Sequence, residues 1–181
     1  LEAKIINPDE NGEGELAVKG PSVMMGYYKN DEENKKALKD GWFYTGDYAY
    51  IDKDGFLFIT GRKKDIIVLK NGKNVYPQEI EFLINKLPYV TESLVYQRER
   101  NNTDTMLCAK IVYDKDIIKD VLGDKKEEEY KDIIWNEIKE INKTLPVFKH
   151  IKNIDITTEP FVKTTTQKVK RYEELKKIEQ A

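Results

Sequence analysis

Three segments of the chain hold residue types that could do chemistry together. The first is Gly41-Trp42-Phe43-Tyr44-Thr45-Gly46-Asp47. A carboxylate placed just after a glycine, between aromatic residues and a strand, can accept hydrogen bonds from both hydroxyls of a vicinal diol, and a charged acceptor holds them more strongly than a neutral one. The same Thr-Gly-Asp string also makes a good turn. The second segment is Gly61-Arg62-Lys63-Lys64-Asp65, followed by Leu69-Lys70-Asn71-Gly72-Lys73-Asn74-Val75-Tyr76-Pro77-Gln78-Glu79-Ile80-Glu81. An arginine at the end of a β-unit can reach a ribose or phosphate oxygen with its planar fork, and the Asn71-Gly72 turn lets backbone approach a ligand closely. A charged linker followed by a hairpin would read the same way. The third is Lys163-Thr164-Thr165-Thr166-Gln167-Lys168-Val169-Lys170-Arg171. Three threonines before a lysine disfavour helix and suggest an exposed, mobile loop. A lysine there can bring a point charge to a developing anion, although a basic run is often only a solvated tail.

The elements that must position these groups are legible from pattern. Short strands are expected at 2–6 and 15–19, separated by the turn-forming run Asn7-Pro8-Asp9-Glu10-Asn11-Gly12, and a short polar helix runs from an Asp31 N-cap through Leu38. Strands at 48–51 and 56–60 flank Asp52-Lys53-Asp54-Gly55, a hairpin signal. Beyond residue 65 the character changes. A strand at 66–69, the Asn71-Gly72 turn and a return at 74–76 lead to Pro77, which opens a helix where its missing N–H costs nothing. Ile80, Leu83, Ile84 and Leu87 recur at helical spacing, and so do Tyr130, Ile133, Ile134, Ile138 and Ile141 in a longer helix over 126–142. Strands at 92–97, 106–113 and 151–156 and a tail helix after Val169 complete the pattern. The charged run 124–129 reads as a solvated helix start. Interleaved strands and helices predict an α+β chain: a β-rich piece over 1–62, then a small two-layer α/β domain over 63–181.

Composition narrows the function classes. Thirty-one basic against 33 acidic side chains give a net charge of -2, which argues against a dedicated nucleic-acid binder. No apolar stretch approaches the roughly 20 residues of a membrane helix. The one cysteine, Cys108, lies in the apolar run Met106-Leu107-Cys108-Ala109 and reads as a buried, reduced thiol of a cytoplasmic protein. His150, the only histidine, has no second histidine or paired carboxylate to make a metal site or a triad. Trp42 and Trp135 read as packing residues.

In this order and at these separations the three segments resemble the adenylate-forming superfamily: acyl-CoA synthetases, aryl-CoA ligases, luciferases and peptide-synthetase adenylation domains. The resemblance begins at Gly14-Glu15-Leu16-Ala17-Val18-Lys19-Gly20-Pro21-Ser22-Val23-Met24-Met25-Gly26-Tyr27-Tyr28 and runs over nearly the whole chain. It implies that Asp47 binds the ribose hydroxyls, that Arg62 also contacts the ribose and that Lys64 is a hinge. It further implies that Gly72 belongs to a loop lining a pantetheine tunnel and that Lys168 is the catalytic lysine. The family has glycine before that lysine, where this chain has Gln167, and Lys163 and Lys170 are neighbouring candidates.

The implied reaction converts a carboxylic acid, expected to be a fatty acid, and ATP into acyl-AMP and pyrophosphate, and then a CoA thiol displaces AMP. ATP with Mg2+, and CoA, would be the cofactors, and no residue of this chain is assigned to the metal. The start at Leu1 inside a strand, and the lack of a phosphate loop and acyl pocket, lead to the expectation of a C-terminal piece, inactive by itself, whose partner is the N-terminal domain of the same chain. An acyl-carrier-protein ligase, a peptide-synthetase adenylation domain and a lysine-rich binding module without catalysis are the competing expectations.

Overall fold

Alternating apolar residues separated by turn signals pair into an antiparallel sheet in the first of two units, Leu1–Ile66 and Ile67–Ala181. The computed structural model describes residues 1–101 and 104–180. In the first unit β1 (Glu2–Ile6), β2 (Gly14–Lys19), β4 (Trp42–Ile51) and β3 (Leu38–Lys39) lie in the spatial order β1-β2-β4-β3, and β5 (Leu57–Arg62) also pairs with β4. β4 is longer than the expected 48–51 because Phe43 and Tyr44 pair with Val18 and Ala17, so the whole aromatic string is strand. Its helix α1 (Asp31–Ala37) is capped by Asn30, whose Oδ1 accepts from the Glu33 N–H at 3.3 Å; Asp31 is the first helical residue rather than the cap. This unit buries little apolar surface: Leu16, Ala17 and Ala49 are buried, whereas Phe56, Phe58 and Ile59 stay exposed.

The second unit opens with β6 (Ile67–Val68) and β7 (Asn74–Val75), a two-stranded ribbon, followed by α2 (Pro77–Ile84). Its main sheet has the order β10-β9-β8, from Ile151–Thr157, Asp104–Tyr113 and Val90–Asn101. β8 and β9 are antiparallel, while β10 returns parallel to β9 after α3 (Lys115–Leu122) and α4 (Glu127–Lys143). The sequence pattern missed α3, although Asp114 supplies an N-cap to the Asp116 and Ile117 N–H groups and Gly123 follows the last turn. Side chains alternate across a strand. On one face of the sheet Val95, Ile111 and Tyr113 meet Ile80 and Ile84 of α2 and Ile134 and Ile138 of α4. On the other, Leu94 and Val112 meet Phe161 and the apolar side of α5 (Arg171–Glu179), Leu175 and Ile178. Asn142 joins α4 to β10 by donating to the Ile151 carbonyl and accepting from its N–H, both at 2.9 Å.

Glu174 of α5 is 1% exposed. Its Oε1 accepts from the Val162 N–H at 3.0 Å and from Lys177 at 2.7 Å, and Lys110 stands 3.7 Å from Oε2. Burial pushes the carboxyl's pKa up, but Lys177, the Val162 N–H and Lys110 together outweigh it and leave the group below its ordinary range.

One turn is built four times. In each, the N–H of the first residue donates to the carbonyl of the fifth, and the N–H of the fourth donates to the carbonyl of the first. The second of these bonds closes Asp9–Gly12 at 3.0 Å, Asp52–Gly55 at 3.0 Å, Leu69–Gly72 at 2.8 Å and Thr164–Gln167 at 3.0 Å. The fourth residue must take a left-handed conformation, as in a type I turn with a following bulge. Gly12, Gly55 and Gly72 do so with φ of 79°, 85° and 78°, and Gln167 with φ of 62°. No heavy atom lies within 4 Å of where a Cβ would stand on these three glycines, so backbone conformation alone selects glycine there. An L-residue in the left-handed region costs roughly 1–2 kcal/mol, and glycine returns roughly 0.5–1 kcal/mol of that as chain entropy.

Gln167→Gly is therefore expected to stabilise the second unit by about 0.5–1 kcal/mol, and Gly72→Gln to destabilise it by a similar amount. Equilibrium urea unfolding measures both, and a Gln167→Gly protein no more stable than wild type would contradict the turn assignment. For Glu174 the folded pKa lies below the unfolded one. Its stabilisation is complete above about pH 4.3, the ordinary glutamate value, and is lost as the pH falls through the folded pKa. Glu174→Gln is expected to lower the unfolding free energy at neutral pH by about 1–2 kcal/mol, with the gap to wild type closing in acid.

Candidate functional site

In the first unit, Asp47 and Arg62 are direct partners in the β4–β5 register. Arg62 Nε donates to Asp47 Oδ1 at 2.8 Å, while the side chains remain 49% and 25% exposed, so both keep polar edges open to solvent. Local backbone sets this geometry. Gly46 takes a φ of 72°, and the pairing slips between Tyr48 and Ala49. The Thr45 hydroxyl donates to the Leu16 carbonyl and accepts from the Asp47 N–H, both at 3.0 Å, which ties the bulged string to β2. The pairing of a carboxylate with a guanidinium edge makes a mixed acceptor and donor site suited to a diol.

The chain then leaves the sheet through a short 3-10 turn, Lys63–Asp65. Lys63 is tied back to β2 by Glu15 at 2.7 Å, and that hydrogen-bonded carboxylate raises the lysine's pKa above its ordinary value against a smaller opposing effect of burial. Lys64, next in line, is exposed. The first unit ends two residues further on, at Ile66.

In the second unit, Gly72 sits at the left-handed position of the β6–β7 turn. Its neighbours Lys70 and Asn71 line an open cleft of about 730 Å³ together with Phe148, His150 and Lys152. Two lysines and an aromatic ring give this cleft the chemistry to hold an anionic ligand with a flat ring. His150 Nε2 lies 3.0 Å from the Leu145 carbonyl, a backbone contact that fixes its ring. Among the described residues no three His, Cys, Asp or Glu side chains come together as a metal-binding group.

Lys168 lies on the fourth of the repeated turns. The sequence suggests an exposed, mobile loop. The residue is exposed, but the loop is a closed hairpin: the Thr164 N–H donates to the Lys168 carbonyl at 2.8 Å, and the Lys168 N–H donates to Thr164 Oγ1 at 3.2 Å. Three threonines serve a hairpin better than a disordered tail because the hydroxyl of the first caps the turn and contacts that of Thr166 at 2.9 Å. The neighbouring basic residues are all engaged. Lys163 pairs with Glu92, Lys170 with Glu173 at 2.9 Å, and Arg171 with Glu81 at 2.7 Å. Among the described residues Lys168 alone of this run has no ion pair, so it is the one with an ammonium available to a ligand. Asp47 and Arg62 are thus brought together, whereas Gly72 and Lys168 occupy separate turns.

Glu81, Glu92 and Arg171, which hold the hairpin, escaped the sequence reading as functional residues. A signal for Glu81 was present: Pro77, Ile80, Glu81 and Ile84 share the spacing of one buried helix face, where an acid needs a partner.

Residues 64–181 match the family of the AMP-binding enzyme C-terminal domain. The chain is 49% identical over 80 residues to the 2-succinylbenzoate–CoA ligase of Bacillus licheniformis, covering 44% of this chain and 16% of that protein. It is 47% identical over 96 residues to a long-chain-fatty-acid–CoA ligase of Escherichia coli, covering 50% and 17%. The match thus spans about a sixth of the length of these curated relatives. Among solved structures it is similar to the o-succinylbenzoate CoA synthetase of Bacillus subtilis in complex with the acyl-adenylate intermediate OSB-AMP, with a TM-score of 0.73 and 27% identity over 96% of this chain and 33% of that one. The same enzyme in complex with ATP and a magnesium ion gives a TM-score of 0.72 at 28% identity, over 95% and 33%. With the family match covering well over half of its residues, and the adenylate-forming motifs set on this fold, the chain belongs to the AMP-binding enzyme C-terminal domain family.

Proposed function

We propose that this chain is the C-terminal part of an ATP-dependent acid–CoA ligase, and that it supplies ribose contacts, a hinge and a catalytic lysine to a longer enzyme. The observation that carries the reading is Lys168: an exposed, uncommitted ammonium held on a closed hairpin within a basic run whose other cations are paired. The bare apolar side chains of Phe56, just before β5, and of Phe58 and Ile59 on it support it, since surface of this kind suits a unit that continues a larger domain. Our reading places the enzyme in the cytoplasm, in keeping with the lone buried thiol of Cys108; no described helix is long and apolar enough to cross a membrane.

In the first half-reaction a carboxylate oxygen attacks the α-phosphorus of ATP, forming the acyl–phosphate bond of acyl-AMP and releasing pyrophosphate. Two anions must approach each other. The Lys168 ammonium offsets their repulsion and stabilises charge on the phosphoryl oxygens in the transition state. Asp47 accepts from the ribose hydroxyls, and Arg62 orients that carboxylate while offering its own N–H edge to the same sugar. Magnesium would accompany ATP and supply charge neutralisation for its phosphates, and no residue of this chain is assigned to hold it. In the second half-reaction the CoA sulfur attacks the acyl carbon and AMP leaves. Lys168 is not needed there, and rotation about Lys64 replaces it with the turn at Gly72. The cleft beside that turn offers Lys70, Lys152 and Phe148 to the phosphorylated, aromatic end of CoA. The acid is a fatty or aryl carboxylic acid, the substrate classes in the names of the relatives.

The test is ATP–pyrophosphate exchange by the complete polypeptide with a panel of fatty and aryl acids. Lys168→Ala is expected to slow exchange by roughly 10²-fold or more, which corresponds to removing one preorganised donor of about 3 kcal/mol. Lys64→Pro is expected to retain exchange and lose thioester formation. An active protein whose Lys168→Ala variant exchanges at the wild-type rate would sink the assignment.

A further inference from the structure

The carboxylates buried in the second unit converge on one small feature. Glu81 of α2 and Glu174 of α5 are buried, and Glu92 of β8 keeps a side chain only 12% exposed. Glu92 pairs with Lys163 through Oε1 and accepts the Phe161 N–H at 3.0 Å through Oε2. Glu174 accepts the Val162 N–H. Glu81 Oε1 accepts from Arg171 and from the Val95 N–H, both at 2.7 Å, while Arg171 also donates to the Val95 carbonyl at 2.9 Å. Phe161, Val162 and Lys163 form one leg of the Lys168 hairpin. Lys170, whose N–H donates to the Val162 carbonyl at 2.8 Å, and Arg171 end the other.

Attachment of α5 to the sheet does not require this. Leu94, Val112, Phe161, Leu175 and Ile178 already bury an apolar contact there, and exchanging buried charges for apolar groups often leaves stability unchanged or raises it. What charges supply and apolar contacts do not is a single allowed position, because each carboxylate is satisfied in only one geometry. We propose that Glu92, Glu81 and Glu174 are positioning residues for Lys168: a carboxylate cradle grips both legs of the hairpin and presents the ammonium on a rigid arm. This rests on the reading of Lys168 given above. The lysine reaches the α-phosphate from a fixed base, so that the charge is in place before it is needed.

Two measurements on Glu92→Gln test the cradle and keep its failure apart from that of the functional reading. In the 181-residue chain, residue-resolved amide exchange is expected to speed up about tenfold at the Gln167, Lys168 and Lys170 N–H groups, with Val95 and Ile111 unchanged. In the complete polypeptide, Glu92→Gln is expected to lower the kcat of pyrophosphate exchange about tenfold with KM unchanged, and to have no further effect in a Lys168→Ala background, because its action passes through that lysine. Unaltered arm amides, or equal losses in both backgrounds, would overturn the proposal. Should Glu92→Gln unfold the sheet, the Val95 amide will report it. Lys163→Gln, on the more exposed side of the same ion pair, then replaces it in both measurements, with the same changes expected and the same results overturning the proposal. If Lys168→Ala itself exchanges normally, the functional reading fails, and the amide experiment still decides whether the cradle holds the arm.

Discussion

A carboxylate taken out of water must find cations and N–H groups or give up its charge, and the second unit is organised around that constraint. Glu81 and Glu174 sit on helices that the sheet separates, one packed against each face. Each solves its burial by reaching for the same stretch of chain, Glu81 at Arg171 and Glu174 at the Val162 N–H. The apolar clusters decide that α2 lies on one face and α5 on the other. The carboxylates decide where the connecting hairpin stands, because a hydrogen bond loses its worth over a few tenths of an ångström while an apolar contact tolerates a slide.

The turn at the tip of that hairpin uses local chemistry already present elsewhere in the chain. Three of the four copies place glycine at the left-handed position, and two of those put an aspartate first, where its side chain accepts the N–H groups of the third and fifth residues. The Lys168 copy substitutes Thr164 for the aspartate and Gln167 for the glycine. The first exchange keeps the acceptor and removes a negative charge beside the lysine. The second accepts backbone strain for a reason that nothing in the structure explains.

The two units contribute different kinds of group. The first offers an acceptor and donor pair laid across adjacent strands, with little core beneath it and an apolar edge strand bare. The second has a core of its own and offers a cation on an arm and a basic, aromatic cleft beside a glycine turn. The two kinds of group thus lie on separate units, and the short 3-10 turn Lys63–Asp65 closes the first of them just before the boundary at Ile66.

Most of the element order was legible in the amino-acid sequence, because hydrophobic period, turn glycines and Pro77 are local signals read by local physics. The candidate residues Asp47, Arg62, Lys64, Gly72 and Lys168 came from motif order, with no geometry needed. The α3 helix was missed although its cap and its glycine stop were both present, since eight residues with few apolar positions give a faint period. What the linear chain by itself could not determine was which cations of the basic run are held in ion pairs. That depended on Glu92, Glu173 and Glu81, of which only Glu173 is near in sequence. Glu81 lies ninety residues before Arg171 and meets it only after α2 and α5 have docked on β8. Local sequence carries dihedral preference and period. The pairing of distant charges, and with it which cations of the basic run are engaged, was decided by the tertiary structure, because an ion pair forms only where packing has already brought its two ends together.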